Sequence, residues 1–361
     1  PFAILPPPVD TNTLMHAVVQ VALDPSGSGS AFANYPVLIY DGFPDPRIDD
    51  HFAASALPWQ LEVMREIAAE DALWWMHRRL RRSGSGSQIT GYPPVDTSIE
   101  ARNGTAALYL MAFKELGFLP AFPPGTYNAY GGPTLPEGGT TNDQLFHASP
   151  YAEDALRLVN YLLAQISTYQ AIPTSDEADD GAVPLPGTND GRGLAVGNLN
   201  NTYHFPQSLA LSALAGCGLE GMAAQVGMTQ VQGQPLEVVV QQMVDYGVAS
   251  QIDETSQAAA VGGWGATPCL ACSWDASQAQ SMTTGAWVLA LATAEEAMGA
   301  AGVHVPDMVK YRLARMLVNN QAADGGPMVA NAGGYAYSIF EPVGLSPVSY
   351  THLTLPTKRI V

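Results

Sequence analysis

Positive charge is scarce in this sequence. Its 361 residues contain 15 Lys and Arg against 33 Asp and Glu, which gives a formal net charge of −18. Nucleic acids and anionic membrane surfaces attract proteins through clusters of basic residues, so we expect no nucleic-acid partner. No apolar run reaches the roughly 18 residues that a membrane span needs. The composition therefore predicts a soluble chain without a membrane span.

Cysteine is also scarce. The three cysteines are Cys217, Cys269 and Cys272, and an odd number excludes a fully paired disulfide framework. We interpret Cys217 as a core residue at the end of a helix. The Cys-x-x-Cys pair at 269 and 272 fits a local disulfide, two free thiols or half of a zinc site. His204 and His304 are further candidate zinc ligands, but no second Cys pair and no spaced His pair accompanies them. We predict no cofactor and no bound metal.

Lysine is almost absent, whereas small polar residues are abundant, and this composition favours an extracellular or periplasmic location. The segment 348–361 is polar and basic and differs from everything before it. It resembles translated sequencing-adapter read-through of the kind found in metagenomic assemblies. We therefore expect the native reading frame to be cut near Pro347 and the chain to be a fragment, and the fold prediction excludes this tail.

Hydrophobic periodicity predicts helices of two alternating kinds. The first kind is amphipathic, with one apolar face, and is expected to form an outer ring. The second kind is apolar on almost all sides and is expected to be buried. The amphipathic stretches are 61–75, 155–162, 236–243 and 309–317, and the buried stretches are 105–116, 207–215 and 283–294. Ser149 before Pro150, and Pro306 before Asp307, indicate two of the helix starts.

Signals for β-strands are nearly absent. We predict one further buried helix at 14–23 and the start of another at 335–340. The alternation of exposed and buried helices predicts an all-α fold, an α/α toroid of inner and outer helices that is incomplete in this chain. The predicted organisation is an N-terminal segment 1–54 that holds a first inner helix, a truncated repeat domain 55–347 and a non-native tail 348–361.

A short motif repeats along the chain. Gly262-Gly263-Trp264 recurs as Gly333-Gly334-Tyr335, and each copy follows a helical stretch that ends near a glutamine, Gln251 or Gln321. With the stretch 311–326, these segments resemble the Gln-and-Trp repeat of squalene and hopene cyclases, in the terpenoid cyclase and prenyltransferase α/α-toroid family. In that family the glutamine caps helix ends and stacks on an aromatic residue of the next repeat. This sequence departs from the pattern at Pro327, where the family has Trp.

The acid motif of the cyclase branch, Asp-x-Asp-Asp, is not found in this sequence. The nearest string is Glu177-Ala178-Asp179-Asp180, in which clustered carboxylates raise one another's pKa as acid catalysis requires. Asp179 is therefore a candidate acid. The alternative is a solvated acidic loop between helices.

Three long connections, 118–148, 166–202 and 252–274, are expected to crowd the end of the barrel where the buried helices begin. His204 and Asp275 are the catalytic candidates there. The predicted ligand-binding residues are Asp96, Trp264, Trp274 and Tyr335. Each has a structural alternative: a helix N-cap for the two aspartates, stacking on a neighbouring repeat for Trp264 and Tyr335, and a hydrogen-bonded core side chain for His204.

Three functions remain open. The first is a toroid protein, noncatalytic or of undetermined activity, that binds an apolar or polymeric ligand at the barrel mouth. The second is a fragment of a triterpene cyclase or prenyl-group enzyme whose acid motif lies beyond this sequence. The third is a polysaccharide-active α/α-barrel enzyme. The sequence makes no prediction of oligomeric state.

Overall fold

The computed structural model of the chain describes residues 15–22, 32–39, 58–95, 98–122, 127–131, 150–170, 192–197, 204–252, 262–265, 280–319, 336–338 and 341–344. Within these ranges the chain is mostly helical. The predicted tail 348–361 lies outside them.

Seven α-helices lie in the described ranges, and each coincides with one of the seven helical stretches predicted from periodicity. Two of them begin as the sequence predicts: the helix at 150 starts on a proline, whose fixed φ suits a first turn, and the helix at 307 starts on an aspartate, which suits the helix dipole. The helices are α1 Pro58–Arg79, α2 Ile99–Glu115, α3 Pro150–Ala164, α4 His204–Ala215, α5 Leu236–Ala249, α6 Ser281–Met298 and α7 Asp307–Asn319.

Short strands accompany the helices, so the described part of the chain is mostly helical, as predicted, but not entirely so. They pair in chain order as antiparallel two-stranded sheets. The strands are β1 Met15–Ala22, β2 Phe32–Ile39, β3 Arg81–Ser83, β4 Thr90–Tyr92, β5 Ile166–Gln170, β6 Arg192–Val196, β7 Ala336–Ser338 and β8 Glu341–Gly344.

Two predicted helices are strands. The stretch 14–23 contains β1, which pairs with β2 from Met15 opposite Ile39 to Ala22 opposite Phe32. Its valines are β-branched and favour extended backbone. The stretch 335–340 contains β7, which pairs with β8, and Pro342 just beyond it disfavours continuation of a helix. The predicted connection 166–202 likewise contains the β5–β6 hairpin.

The three helices predicted to be inner pack side by side in the order α2, α4, α6. At one end, a Cβ on Gly104 in α2 would lie 3.7 Å from Cβ of Pro206 in the first turn of α4. At the other end, a Cβ on Gly216 would lie 3.8 Å from Cε of Lys114 and 3.7 Å from Cγ2 of Thr293. The three helices therefore run in the same direction. We call the end at which they begin the helix-start end.

Burial does not follow the predicted division into outer and inner helices. No residue of α5, predicted to be an outer helix, is exposed, whereas α2, predicted to be buried on all sides, carries the half-exposed Leu108. Packing explains the difference. Strand β4 lies against α3 and β6 lies against α5, while α2 and α6 stand at the two edges of the row with α4 between them.

Candidate functional site

The helix-start end gathers buried polar side chains. Helix N-termini carry backbone N–H groups without intrahelical partners and a partial positive charge, so this end suits polar contacts. It is also the end at which the sequence predicts a ligand site. The buried polar residues in the first turns of α2, α4 and α6 are Asn103, His204, Gln207, Ser208, Thr283 and Thr284.

His204 is the first residue of α4 and is fully buried. Its Nδ1 lies 3.0 Å from the carbonyl oxygen of Gly265. Because a carbonyl oxygen only accepts, Nδ1 carries the proton and Nε2 is the unprotonated nitrogen. The ring meets those of Trp287 and Tyr246 edge-on, at centroid distances of 5.7 and 6.2 Å.

Burial lowers the pKa of His204 to about 3, and the hydrogen bond to Gly265 opposes that shift only in part. The imidazole is therefore neutral at pH 7. Its single proton is held by a backbone carbonyl, so this geometry supports the structural alternative for His204 and gives it no proton to donate from Nε2.

Trp264 lies in the same cluster. It is fully buried, its ring stacks on that of Trp287 at 6.0 Å and 21°, and its Nε1 donates to the carbonyl oxygen of Gly247 at 2.8 Å. Gly247 has to be glycine because a Cβ there would collide with the Trp287 ring. This geometry favours stacking between helices over direct ligand contact for Trp264.

Gln251 and Gly262 join α5 to α7. Gln251 follows α5, and its Nε2 donates to the carbonyl oxygens of Gly262 at 3.0 Å and of Val309, in the first turn of α7, at 3.1 Å. Gly262 has a φ of +99°, and a Cβ on it would collide with the carbonyl oxygen of Arg312. Only glycine permits that backbone and that approach. One buried amide thus holds the Gly-Gly-Trp segment against the next helix.

Among the described residues, three buried polar atoms at the helix-start end have no hydrogen-bond partner: Asn103 Nδ2, His204 Nε2 and Trp287 Nε1. The Oδ1 of Asn103 accepts a hydrogen bond from the hydroxyl of Tyr161 at 2.9 Å, which leaves Nδ2 as a free donor. An unpaired buried group of this kind costs about 1–3 kcal/mol. The Asn103 and Trp287 nitrogens are donors and the His204 nitrogen is an acceptor. Hydroxyl groups can satisfy both kinds, because a hydroxyl both donates and accepts.

The structure brings two of the predicted site residues together, His204 and Trp264, through their shared contact with Trp287. The helix caps differ from the prediction: Ser98 caps α2, its Oγ accepting from the backbone N–H of Ala101 at 3.1 Å, and Gln280 holds the N-cap position of α6. The other predicted residues lie outside the described ranges: Asp96, Asp179, Cys269, Cys272, Trp274, Asp275 and Tyr335.

A buried charge cluster was missed by the sequence analysis. Asp154 in α3 is almost fully buried, and its two carboxylate oxygens accept from Nε and Nη2 of Arg82 at 3.0 and 2.9 Å. Nδ1 of His77 lies 2.6 Å from Oδ2 of the same carboxylate. Tyr151 lies beside them and donates to Glu70 at 3.3 Å. Its burial, and then the charge of Glu70, raise the pKa of Tyr151.

This cluster joins the end of α1 to the first turn of α3. The sequence marks Asp154 only as an acidic residue near a helix start, and no local pattern links it to Arg82, because the two are far apart in the chain. A buried carboxylate that is paired twice is held in place, and removal of its partners would leave an uncompensated charge. The cluster therefore fixes the α1–β3 turn relative to α3.

Cys217 follows the end of α4 and is fully buried, with its Sγ 2.9 Å from the carbonyl oxygen of Leu214. Burial raises the pKa of its thiol to about 12. This confirms the interpretation of Cys217 as a core residue at a helix end. Within the described ranges, no group of three or more His, Cys, Asp or Glu side chains is placed to hold a metal ion.

Comparison with known proteins gives no match: no family model, no curated protein and no solved structure is similar to this chain. None of the helices in the described ranges is both long and apolar enough to cross a membrane.

Proposed function

We propose that this chain is a noncatalytic helical repeat protein of the squalene-cyclase-like α/α-toroid kind, and that it binds an apolar or polymeric ligand at the helix-start end. The observation that carries the proposal is the tie between Gln251, Gly262 and the first turn of α7. The repeat resemblance implies a glutamine at a helix end that ties one repeat to the next, and the bonds of Gln251 to the glycine-aromatic segment and to α7 support it.

The direction of the helices supports the same architecture. Parallel neighbouring helices need a connection that returns to the starting end, and α3 and α5 stand between them in the sequence. Repetition of such helix pairs builds a row in which each pair contacts its neighbours. In a toroid that row closes on itself, with the inner helices all beginning at one mouth.

The chemistry of the helix-start end supports binding rather than catalysis. His204 is neutral and enclosed, and the unpaired polar atoms of the helix-start end suit hydroxyl groups. Apolar side chains with partial exposure, Ile99 at the start of α2 and Phe205 at the start of α4, stand at the rim. The low lysine content and acidic surface support a place outside the cytoplasm as part of the same proposal.

Binding of two probes tests the proposal: squalene delivered in cyclodextrin, and a soluble neutral glucan. Tryptophan fluorescence reports binding, because Trp264 and Trp287 lie at this end. We expect one probe to bind, and Ile99→Ala to weaken its binding about three- to tenfold through lost apolar contact. Leu116→Ala is the matched control, because it removes an exposed leucine next to the opposite end of α2.

Three results would overturn the proposal. If neither probe bound, there would be no support for a ligand site. If Ile99→Ala and Leu116→Ala weakened probe binding equally, the site would not lie at the helix-start end. Conversion of squalene to a cyclic product, measured by gas chromatography with mass spectrometry, would show that the chain is an enzyme.

A further inference from the structure

Positive charge, scarce in the whole chain, is concentrated in one turn. Four of the 15 basic residues stand within five positions, Arg78 and Arg79 at the end of α1 and Arg81 and Arg82 in β3. All four are exposed, and the Leu80 between them is buried. In a chain with a net charge of −18, this turn is the surface to which an anionic partner is drawn.

The arginines in this turn have different roles. Arg82 forms an ion pair with the buried carboxylate of Asp154, and this pair anchors the turn. The guanidinium of Arg79 lies 4.6 Å from the ring centroid of Trp75, whose side chain is 51% exposed. Arg78 makes no hydrogen bond or ion pair anywhere in the described structure. We call Trp75, Arg78, Arg79 and Arg81 the basic turn.

We infer that the basic turn binds an acidic polysaccharide, a polymer that carries carboxylates on its sugar rings. A guanidinium presents a planar fork of donors that matches a carboxylate in a bidentate pair. Arg79 covers one face of the Trp75 indole, and the rest of this half-exposed ring gives an apolar surface against which a sugar ring can pack. The anchored Arg82 and the buried Leu80 hold the turn in one conformation, so little ordering opposes binding.

Other anionic polymers fit less well. An extended acidic peptide that added to the edge of β3 would find only three residues there, and the carbonyl oxygen of Ser83 already accepts from Nη1 of Arg157 at 3.0 Å. Nucleic-acid sites commonly neutralise about 6–10 phosphates, more than three arginines provide. The basic turn lies on α1 and β3, apart from the helix-start end, and the inference stands without the proposed function.

Titration of the full chain with polygalacturonate at low salt tests the inference, with neutral dextran as the reference polymer. We expect binding of polygalacturonate alone, weakened by added salt. Arg78→Gln should weaken it about two- to fivefold, and Trp75→Ala should also weaken it. Arg65→Gln is the matched control, since Arg65 is an exposed arginine on the same helix, about 20 Å from Arg78 by helical rise.

If Arg65→Gln and Arg78→Gln weakened polygalacturonate binding equally, the overall charge of the chain would explain the effect and the inference would be overturned. Absence of polygalacturonate binding would also overturn it. Polyglutamate or a single-stranded oligonucleotide that bound as tightly as polygalacturonate would refute the sugar assignment. The thermal unfolding midpoint of each variant, expected to equal that of the parent chain, shows that the fold is intact. Arg82 is left unchanged because its loss would strand the Asp154 carboxylate.

Discussion

Acid should destabilise this protein through His204, and the size of the effect follows from the structure. The unfolded chain holds this histidine at its ordinary pKa of about 6.5, whereas burial lowers the pKa in the folded state to about 3. Below pH 6.5 the unfolded state therefore binds a proton that the folded state does not. The stability that depends on a neutral His204 is complete above pH 6.5 and is lost progressively as the pH falls toward 3.

The loss amounts to about 1.4 kcal/mol for each pH unit below 6.5. Between pH 7 and pH 4.5 the chain should lose about 2–3 kcal/mol of unfolding free energy through this residue alone. Other groups also titrate in this range, so the comparison is made with His204→Asn. The asparagine amide keeps a donor for the carbonyl oxygen of Gly265 but has no titration of its own.

Urea unfolding at the two pH values, followed by tryptophan fluorescence, measures the difference. The parent chain should lose about 2–3 kcal/mol more of its unfolding free energy than His204→Asn on going from pH 7 to pH 4.5. The variant is expected to be less stable at pH 7 because the ring leaves a cavity against Trp287 and Tyr246. Identical pH dependence of the two proteins would refute the conclusion that His204 is buried and neutral.

Three further predictions test the core. Asp154→Asn should cost about 1.5–3 kcal/mol in urea unfolding, because the buried carboxylate loses its charge-assisted hydrogen bonds while the exposed Arg82 can be solvated. Glu153→Gln, in a partly exposed pair on the same helix, should cost at most about 1 kcal/mol, and equal costs of the two substitutions would mean that Asp154 is solvated. Gly262→Ala should lower the free energy of unfolding by at least about 2 kcal/mol, because its Cβ would collide with the Arg312 backbone and its φ is positive. Gly299→Ala should be neutral or stabilising, because Gly299 has a helical φ and open space around it. Iodoacetamide at pH 8 should leave Cys217 unmodified in the folded chain and should alkylate it in urea. Rapid alkylation of Cys217 in the folded chain would contradict its burial and its raised pKa.

Helix positions were predictable because the apolar spacing that defines a helix is local. Each of the seven periodic stretches is helical, and the cysteine at 217 is the core residue that its surroundings predicted. The strands were missed because a short apolar run suits a buried helix and a strand equally. At β1 the β-branched valines and the pairing with β2 favoured extended backbone, and at β7 the pairing with β8 did so.

The candidate site was predictable only in part. The position of His204 just before an apolar helix, and the Gly-Gly-Trp motif, directed attention to the residues that meet at Trp287. Their chemistry was not predictable, because neutrality of the histidine follows from complete burial. The Asp154 cluster left no trace in the sequence, since its partners come from distant segments.

By itself the sequence determined the seven helical segments of the described ranges, where α3 and α7 begin, and the recurrence of a glycine-aromatic motif after a glutamine, although it also assigned β1 and β7 to helices. Tertiary packing decided which helix faces are buried: hairpins cover α3 and α5, while α2 and α6 stand at the edges of the row. It also decided the protonation of His204 and the pairing of Asp154. The physical reason is that local backbone preference depends on neighbouring residues, whereas burial and charge pairing depend on segments brought together by the fold.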